Sequence, residues 1–206
     1  MLVFMAQVNS RRDEYTEATR RALLDAATTL FAGKGYTRTS LDEIAAAARV
    51  TKGAIYHHFP SKTTLFEAAL ERLEAAEVVR MREAYDAAPD AGAGALAVLD
   101  VFLSACSDPI YGAVAFREGP VALGWERWHE CEKKYNYAMI EYVVAGLVSD
   151  GRVTVPLTGT FLALAFGMLG AAGELLARAA PDDIPRLQEE CRVPFLALLG
   201  GLSAMS

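Results

Sequence analysis

Apolar positions recur every three to four residues along nearly the whole chain, and the breaks between runs fall at Pro, Gly, Asp and Ser. Leu23, Ala26, Ala27, Leu30 and Phe31 stand at i, i+3, i+4, i+7 and i+8. That spacing predicts a first helix beginning between Ser10 and Thr16 and ending near Lys34, with Gly35 as its C-cap. From Ser40 the pattern tightens. Ser40 can N-cap a short helix and Glu43 can close a capping box, with Leu41, Ile44, Ala45 and Ala48 on one face. Arg49-Val50 reads as a turn, Thr51 as the N-cap of a second short helix through about His57, and Pro60 as its stop. Ser61 caps a longer helix from Lys62 to about Tyr85, whose apolar stripe opens with Leu65 and Phe66. Two short helices joined by a tight turn predict a helix-turn-helix, which lays its second helix in the DNA major groove.

Beyond the boundary at Ala87-Ala88-Pro89-Asp90 the pattern predicts helices over 92–106, 108–116, 121–149, 157–180 and 184–203. Asp108-Pro109, Gly119-Pro120, Asp150-Gly151 with Pro156, and Pro181-Asp182-Asp183 separate them, and Pro194 should kink or split the last. No strand-like alternation of useful length occurs. The fold class is therefore all-α, about nine helices. A three-helix DNA-binding domain over 10–66 continues into the helix 62–85, and residues 67–206 form a larger helical domain.

Phe31-Ala32-Gly33-Lys34-Gly35-Tyr36, followed by Thr39-Ser40, Ile44-Ala45, Val50 through Phe59 and Lys62, resembles the TetR family of one-component transcriptional regulators. The resemblance runs from about Ala18 to Leu70. It departs at Arg49, where the family usually has Gly, so Arg49 must adopt a positive φ or shift the turn. The resemblance implies a C-terminal domain that encloses an inducer pocket and dimerises through the last two helices. It further implies a cytoplasmic repressor released from a palindromic operator by a small apolar effector.

Charge agrees with contact at one end. Residues 1–66 carry nine Lys/Arg against six Asp/Glu, a balance of +3, in a chain whose net charge is −6. The remainder carries eleven against twenty, a balance of −9. Thr51, Lys52, Gly53 and Ala54 form the N-terminal end of the recognition helix, where free N–H groups and small side chains suit close approach to DNA. Lys52 can donate to guanine or a phosphate, and Tyr56, His57 and His58 stand at the far end where the backbone should pass. Thr39 and Ser40 offer hydroxyls, and Lys62 and Arg49 offer charge to phosphate.

In the second domain Trp125, Trp128, Tyr135, Met139 and Tyr142 follow one side of the long predicted helix, with Glu132 among them. Either these are ordinary core aromatics or, with Phe102, Phe116, Phe161 and Phe166, they line an apolar cavity with a few polar groups. Glu118, His129, Glu132 and Glu174 are its candidate polar contacts. The apolar pair 157–180 and 184–203 carries more hydrophobic surface than one chain needs, and two copies would bury it as a two-fold four-helix bundle. Val153–Gly173 runs 21 residues without a charge, near the length of a bilayer span. Pro156, the threonines and a small-residue stripe of Gly159, Ala163, Gly167 and Gly170 favour a subunit interface over a membrane span.

Cys106, Cys131 and Cys191 lie far apart without metal-ligand spacing, so neither a disulfide framework nor a zinc site is expected. No cofactor is implied. The first ten residues lack the charge and apolar length of a secretory leader, and Met5 is an alternative start to Met1. No nucleophile constellation, metal cluster or phosphate-binding Gly loop suggests an enzyme. The alternative function is a DNA-independent small-molecule binding protein, or an enzyme on the same helical fold.

Overall fold

In a computed structural model of the chain, the backbone is described over residues 2–152 and 158–204, and side chains over 15–152 and 158–197. The described residues are helical, without strands. Helices α1 (Leu2–Lys34), α2 (Leu41–Ala48) and α3 (Lys52–His58) precede the long α4 (Lys62–Asp86). Then follow α5 (Ala91–Cys106), a π-helical segment (Ala113–Glu118), α6 (Gly119–Leu123), α7 (Trp125–Ser149), α8 (Gly159–Ala177), a 3-10 turn (Pro181–Asp183) and α9 (Ile184–Ala204). The questions of Met1 and of Pro156 as a helix stop lie outside the described residues.

Local chemistry sets the N-terminal boundaries. Gly35, at φ +89°, closes α1 with its N–H on the Phe31 carbonyl at 3.0 Å. Ser40 and Glu43 form the reciprocal capping box on α2, and Ser61 with Thr64 does the same on α4. Thr51 caps α3 by accepting from Ala54 N–H at 3.3 Å. Arg49 takes the left-handed conformation, φ 57° and ψ 40°, at the C-cap of α2. It is the one positive-φ non-glycine among the described residues, so this turn keeps the geometry a glycine would give it.

Several expected boundaries differ. α1 starts at Leu2 rather than between Ser10 and Thr16, because no Pro or Gly precedes Ser10 to stop it. The expected helices 108–116 and 121–149 are redistributed. Asp108 Oδ1 accepts from the N–H groups of Ile110 and Tyr111, both at 2.8 Å, and the chain then enters the π-helical segment. Gly124, at φ +76°, separates α6 from α7. α8 ends at Ala177 rather than 180, and α9 runs through Pro194 unsplit.

Helix α4 unites the molecule. It packs on α1, α5 and α7, and α7 follows it along most of its length, from Arg127 on Glu67 and Lys134 on Glu71 to Tyr142 on Asp86. Leu23, Phe31, Ile44, Ile55, Leu65, Phe66 and Leu70 form a buried core around α1–α4. That core continues without a gap into Leu99, Phe102, Phe116 and Trp128. A displacement in the C-terminal helices therefore has a packed path to the helix-turn-helix.

Candidate DNA-contact face and effector cleft

Glu43 anchors the helix-turn-helix from two sides. Its carboxylate accepts from Ser40 N–H at 2.9 Å and pairs with Lys34 of α1. The Lys34 ammonium, then the Ser40 donors, hold its pKa down at about 2, so both links persist in mild acid. Lys52 stands exposed at the start of α3 beside Asp42, 2.8 Å away, which raises its pKa. A Cβ on Gly53 would meet only the Thr51 hydroxyl at 3.9 Å, and Tyr56 is half exposed. Ser40, Lys52, Tyr56 and Lys62 border one shallow groove with Thr37, Arg38 and Asp42. Arg38 was missed in the sequence; it is a free-standing loop cation with no periodic signal, and its Nε donates to the Lys34 carbonyl at 2.8 Å.

Three expected contact residues are otherwise engaged. Thr39 is buried and its hydroxyl donates to the Gly35 carbonyl at 2.8 Å, so it finishes α1 and cannot offer that hydroxyl to DNA. Lys62 Nζ donates to the carbonyls of Tyr36 and Thr39, both at 2.9 Å, and sits over the Tyr36 ring. It braces the connection from α1 to α2 and keeps one donor free. His57 is exposed, but His58 is half buried against it, and burial, then the charges of His57 and Arg20, lower the His58 pKa. His58 therefore adds little positive charge at neutral pH. Arg49, Thr51 and Ala54 stay at the surface of the turn and of α3, Ala54 partly covered.

The second domain holds a cleft of about 700 Å³ between α5, the π-helical segment, α7 and α8. Phe102, Phe116, Trp125, Trp128, His129, Glu132 and Phe166 all border it. Trp125 stacks on His129 with centroids 5.6 Å apart, and His129 meets the Phe166 edge at 5.0 Å. The Trp128 indole donates to the Ala115 carbonyl at 2.7 Å, inside the π-helical segment. Glycines make room for the rings: a Cβ on Gly119 would meet Trp128, and one on Gly173 would meet Phe116.

Phe161 is not part of this cleft. It lines a separate, almost wholly apolar cavity of about 120 Å³ with Met81, Met139 and Ile140. Five residues from Phe166, it points about 140° away around α8. Glu118 is also elsewhere: its Oε2 accepts from Tyr36 N–H at 2.8 Å, and the neighbouring Arg117 donates to the Ala32 carbonyl at 2.8 Å. Glu174 borders the cleft but pairs with Arg178 at 3.7 Å.

Two acids in this region are buried, Glu74 of α4 and Glu132 of α7. Asn136 Nδ2 donates to Glu74 Oε2 at 3.3 Å and to the Glu132 carbonyl at 3.1 Å. Burial pushes Glu74 up to about 7, and burial plus the neighbouring Glu74 raise Glu132 well above the carboxylate range. Glu74 and Asn136 were missed in the sequence. The usable signal was Glu74 lying in phase with the apolar residues Leu70 and Met81. Among the described residues no group of three or more His, Cys, Asp or Glu is placed to hold a metal.

A helix-turn-helix joined to a larger helical domain is the architecture of a DNA-binding transcriptional regulator. Residues 23–69 match the bacterial regulatory proteins of the tetR family, and residues 93–202 match the tetracyclin repressor-like C-terminal domain. The chain belongs to the TetR family of transcriptional regulators. The TetC protein of transposon Tn10 from Escherichia coli is 26% identical over 147 residues, 70% of this chain and 73% of that protein. The transcriptional regulator AcrR of Shigella flexneri is 50% identical over 58 residues, only 28% of this chain and 27% of that protein. The crystal structure of a TetR-family regulator from Pectobacterium atrosepticum superposes with a TM-score of 0.79 at 26% identity, covering 92% of this chain and 96% of that one.

Proposed function

We propose that this chain is a cytoplasmic, homodimeric repressor that leaves a palindromic operator when a small, largely apolar effector enters the aromatic cleft. The observation carrying this reading is the π-helical segment, which reaches from the cleft to the end of the helix that precedes the helix-turn-helix. Phe116 borders the cleft, while the next two residues, Arg117 and Glu118, bond to Ala32 and Tyr36 at the end of α1. An effector that moves the Phe116 ring would draw on the bonds that hold the helix-turn-helix in place. It can shift the equilibrium only by its differential affinity for the two arrangements.

DNA contact is assigned to Ser40, Arg49, Thr51, Lys52, Gly53, Ala54, Tyr56 and His57, with Lys62 contributing its remaining donor and Arg38 added from the groove. Dimerisation is assigned to α8 and α9. α8 is long and apolar enough to cross a bilayer, yet only 28% of its apolar window is buried within the chain. Leu164 is 68% exposed, and Cβ atoms placed on Gly159, Gly167 and Gly170 would meet nothing. Such a face is suited to close approach by a second copy. Replacing Lys52 and Tyr56 together with Ala should lower operator affinity at least about tenfold while leaving a folded dimer. Unchanged affinity in a gel-shift titration would sink the assignment of α3.

A further inference from the structure

The two buried acids are incompletely satisfied within the chain. Glu132 is 3% exposed and Glu74 fully buried, and one oxygen of each, Oε1, accepts no hydrogen bond. Glu132 borders the cleft, and Asn136, which bonds to Glu74, lines it beside Glu132. The neighbours acting on Glu74 and Glu132 are Tyr111, Trp128, Asn136, Glu77 and each other, with no Lys, Arg or His among them. A buried carboxylate without a cation is costly, and glutamine would fill the same volume without that cost. Around this acid pair stand the rings of Phe116, Trp125, Trp128 and Phe166. Aromatic faces and a desolvated carboxylate share one complement, a positive charge on an apolar body.

We propose that the cleft recognises a lipophilic cation, a quaternary or protonated amine or an equivalent onium ion with aromatic bulk, whose charge is met by Glu132 with Glu74 behind it. This rests on the reading of the cleft as the effector site and names the effector's chemical class. Binding of the cation displaces the proton held by the acid pair, so affinity rises with pH. The other titratable or charged groups around the pair include Glu77 from α4, Cys106 from α5, Tyr111 ahead of the π-helical segment, and His129 and Cys131 on α7. Glu174, Arg178 and Asp183 stand on the α8 side.

The chain has two tryptophans, Trp125 and Trp128, and both border the cleft, so intrinsic fluorescence reports its occupancy. The probes are tetraphenylphosphonium and the neutral acceptor triphenylphosphine oxide, titrated into full-length protein at pH 8 and pH 5.5. The expected result is binding of the cation at least tenfold tighter than the oxide at pH 8. That preference should shrink at pH 5.5 and fall to within twofold in Glu132→Gln, with oxide affinity there unchanged as the control for folding; Glu74→Gln is the second variant. Equal binding of the two probes, a preference that survives both variants, or no quenching by the cation at millimolar concentration would overturn the proposal. Operator release by the oxide but not by the cation would reject the charge chemistry alone. Tight cation binding with unchanged operator affinity would instead reject the effector reading and leave the cation site standing.

Discussion

At the scale of single residues, Glu132 and Glu74 set a stability cost that depends on pH. A folded-state pKa above the unfolded value means that the folded chain holds protons the unfolded chain releases. The associated stability is complete below the ordinary carboxylate range and is lost as pH rises toward about 7, the value of Glu74. Glu132→Gln keeps the neutral shape without the proton. Its melting temperature at pH 8 should therefore exceed the parent's by several degrees, at about 2–4 °C per kcal/mol for a chain of this size. At pH 4 the two should melt together. A variant that melts lower than the parent at pH 8 would contradict the burial of an uncompensated acid. Thr39 and Lys62 show how much residue identity leaves open at this scale. Both types suit phosphate, yet here the hydroxyl and the ammonium satisfy carbonyls at the end of α1 and in the following loop.

At the scale of elements, the π-helical segment links the aromatic cleft to the end of α1. Glu118 accepts a charge-assisted bond from a backbone N–H, and Arg117 satisfies a carbonyl near the C-terminus of α1. Arg117→Ala together with Glu118→Gln should leave ligand quenching of the tryptophans intact. The ligand-induced change in operator affinity, read by fluorescence anisotropy, should shrink about fivefold or more, within the usual range of coupling energies. Coupling as strong as the parent's would show that the signal travels elsewhere, for instance along α4.

Elements governed by local chemistry were legible in the sequence. The caps at Ser40, Thr51 and Ser61 and the turn at Arg49 follow from residues a few positions apart. The region 108–124 was not, because its shape depends on partners far along the chain. Trp128 draws on the Ala115 carbonyl, and Glu118 reaches Tyr36 across 82 residues. Gly124 was visible but lay inside an apolar run that reads as continuous helix. The aromatic wall was legible as a set of residue types, whereas the exclusion of Phe161 and the arrival of Glu74 depend on how helices are rotated against one another.

At the scale of the whole molecule, the proposed repressor would meet DNA with its basic end rather than its acidic remainder, and the exposed apolar faces of α8 and α9 are its proposed means of pairing. A symmetric pair is required to read two half-sites at once. Leu164→Glu places a charge on the exposed face of α8 and should convert the dimer to a monomer in sedimentation velocity, with operator affinity falling in parallel. A dimer that persists with this substitution would move the interface away from that face.

Sequence-specific, charge-dependent binding of a dimer to DNA stands at the centre of the proposed function. Its most direct test is selection of genomic fragments by the purified, ligand-stripped protein, followed by footprinting of the best fragment at two salt concentrations. The expected result is a protected palindrome with half-sites about one helical turn, roughly 34–36 Å, or a multiple of it apart, and affinity that falls steeply as salt rises. Absence of any enriched fragment from a folded, ligand-free dimer, or protection indifferent to salt, would contradict it.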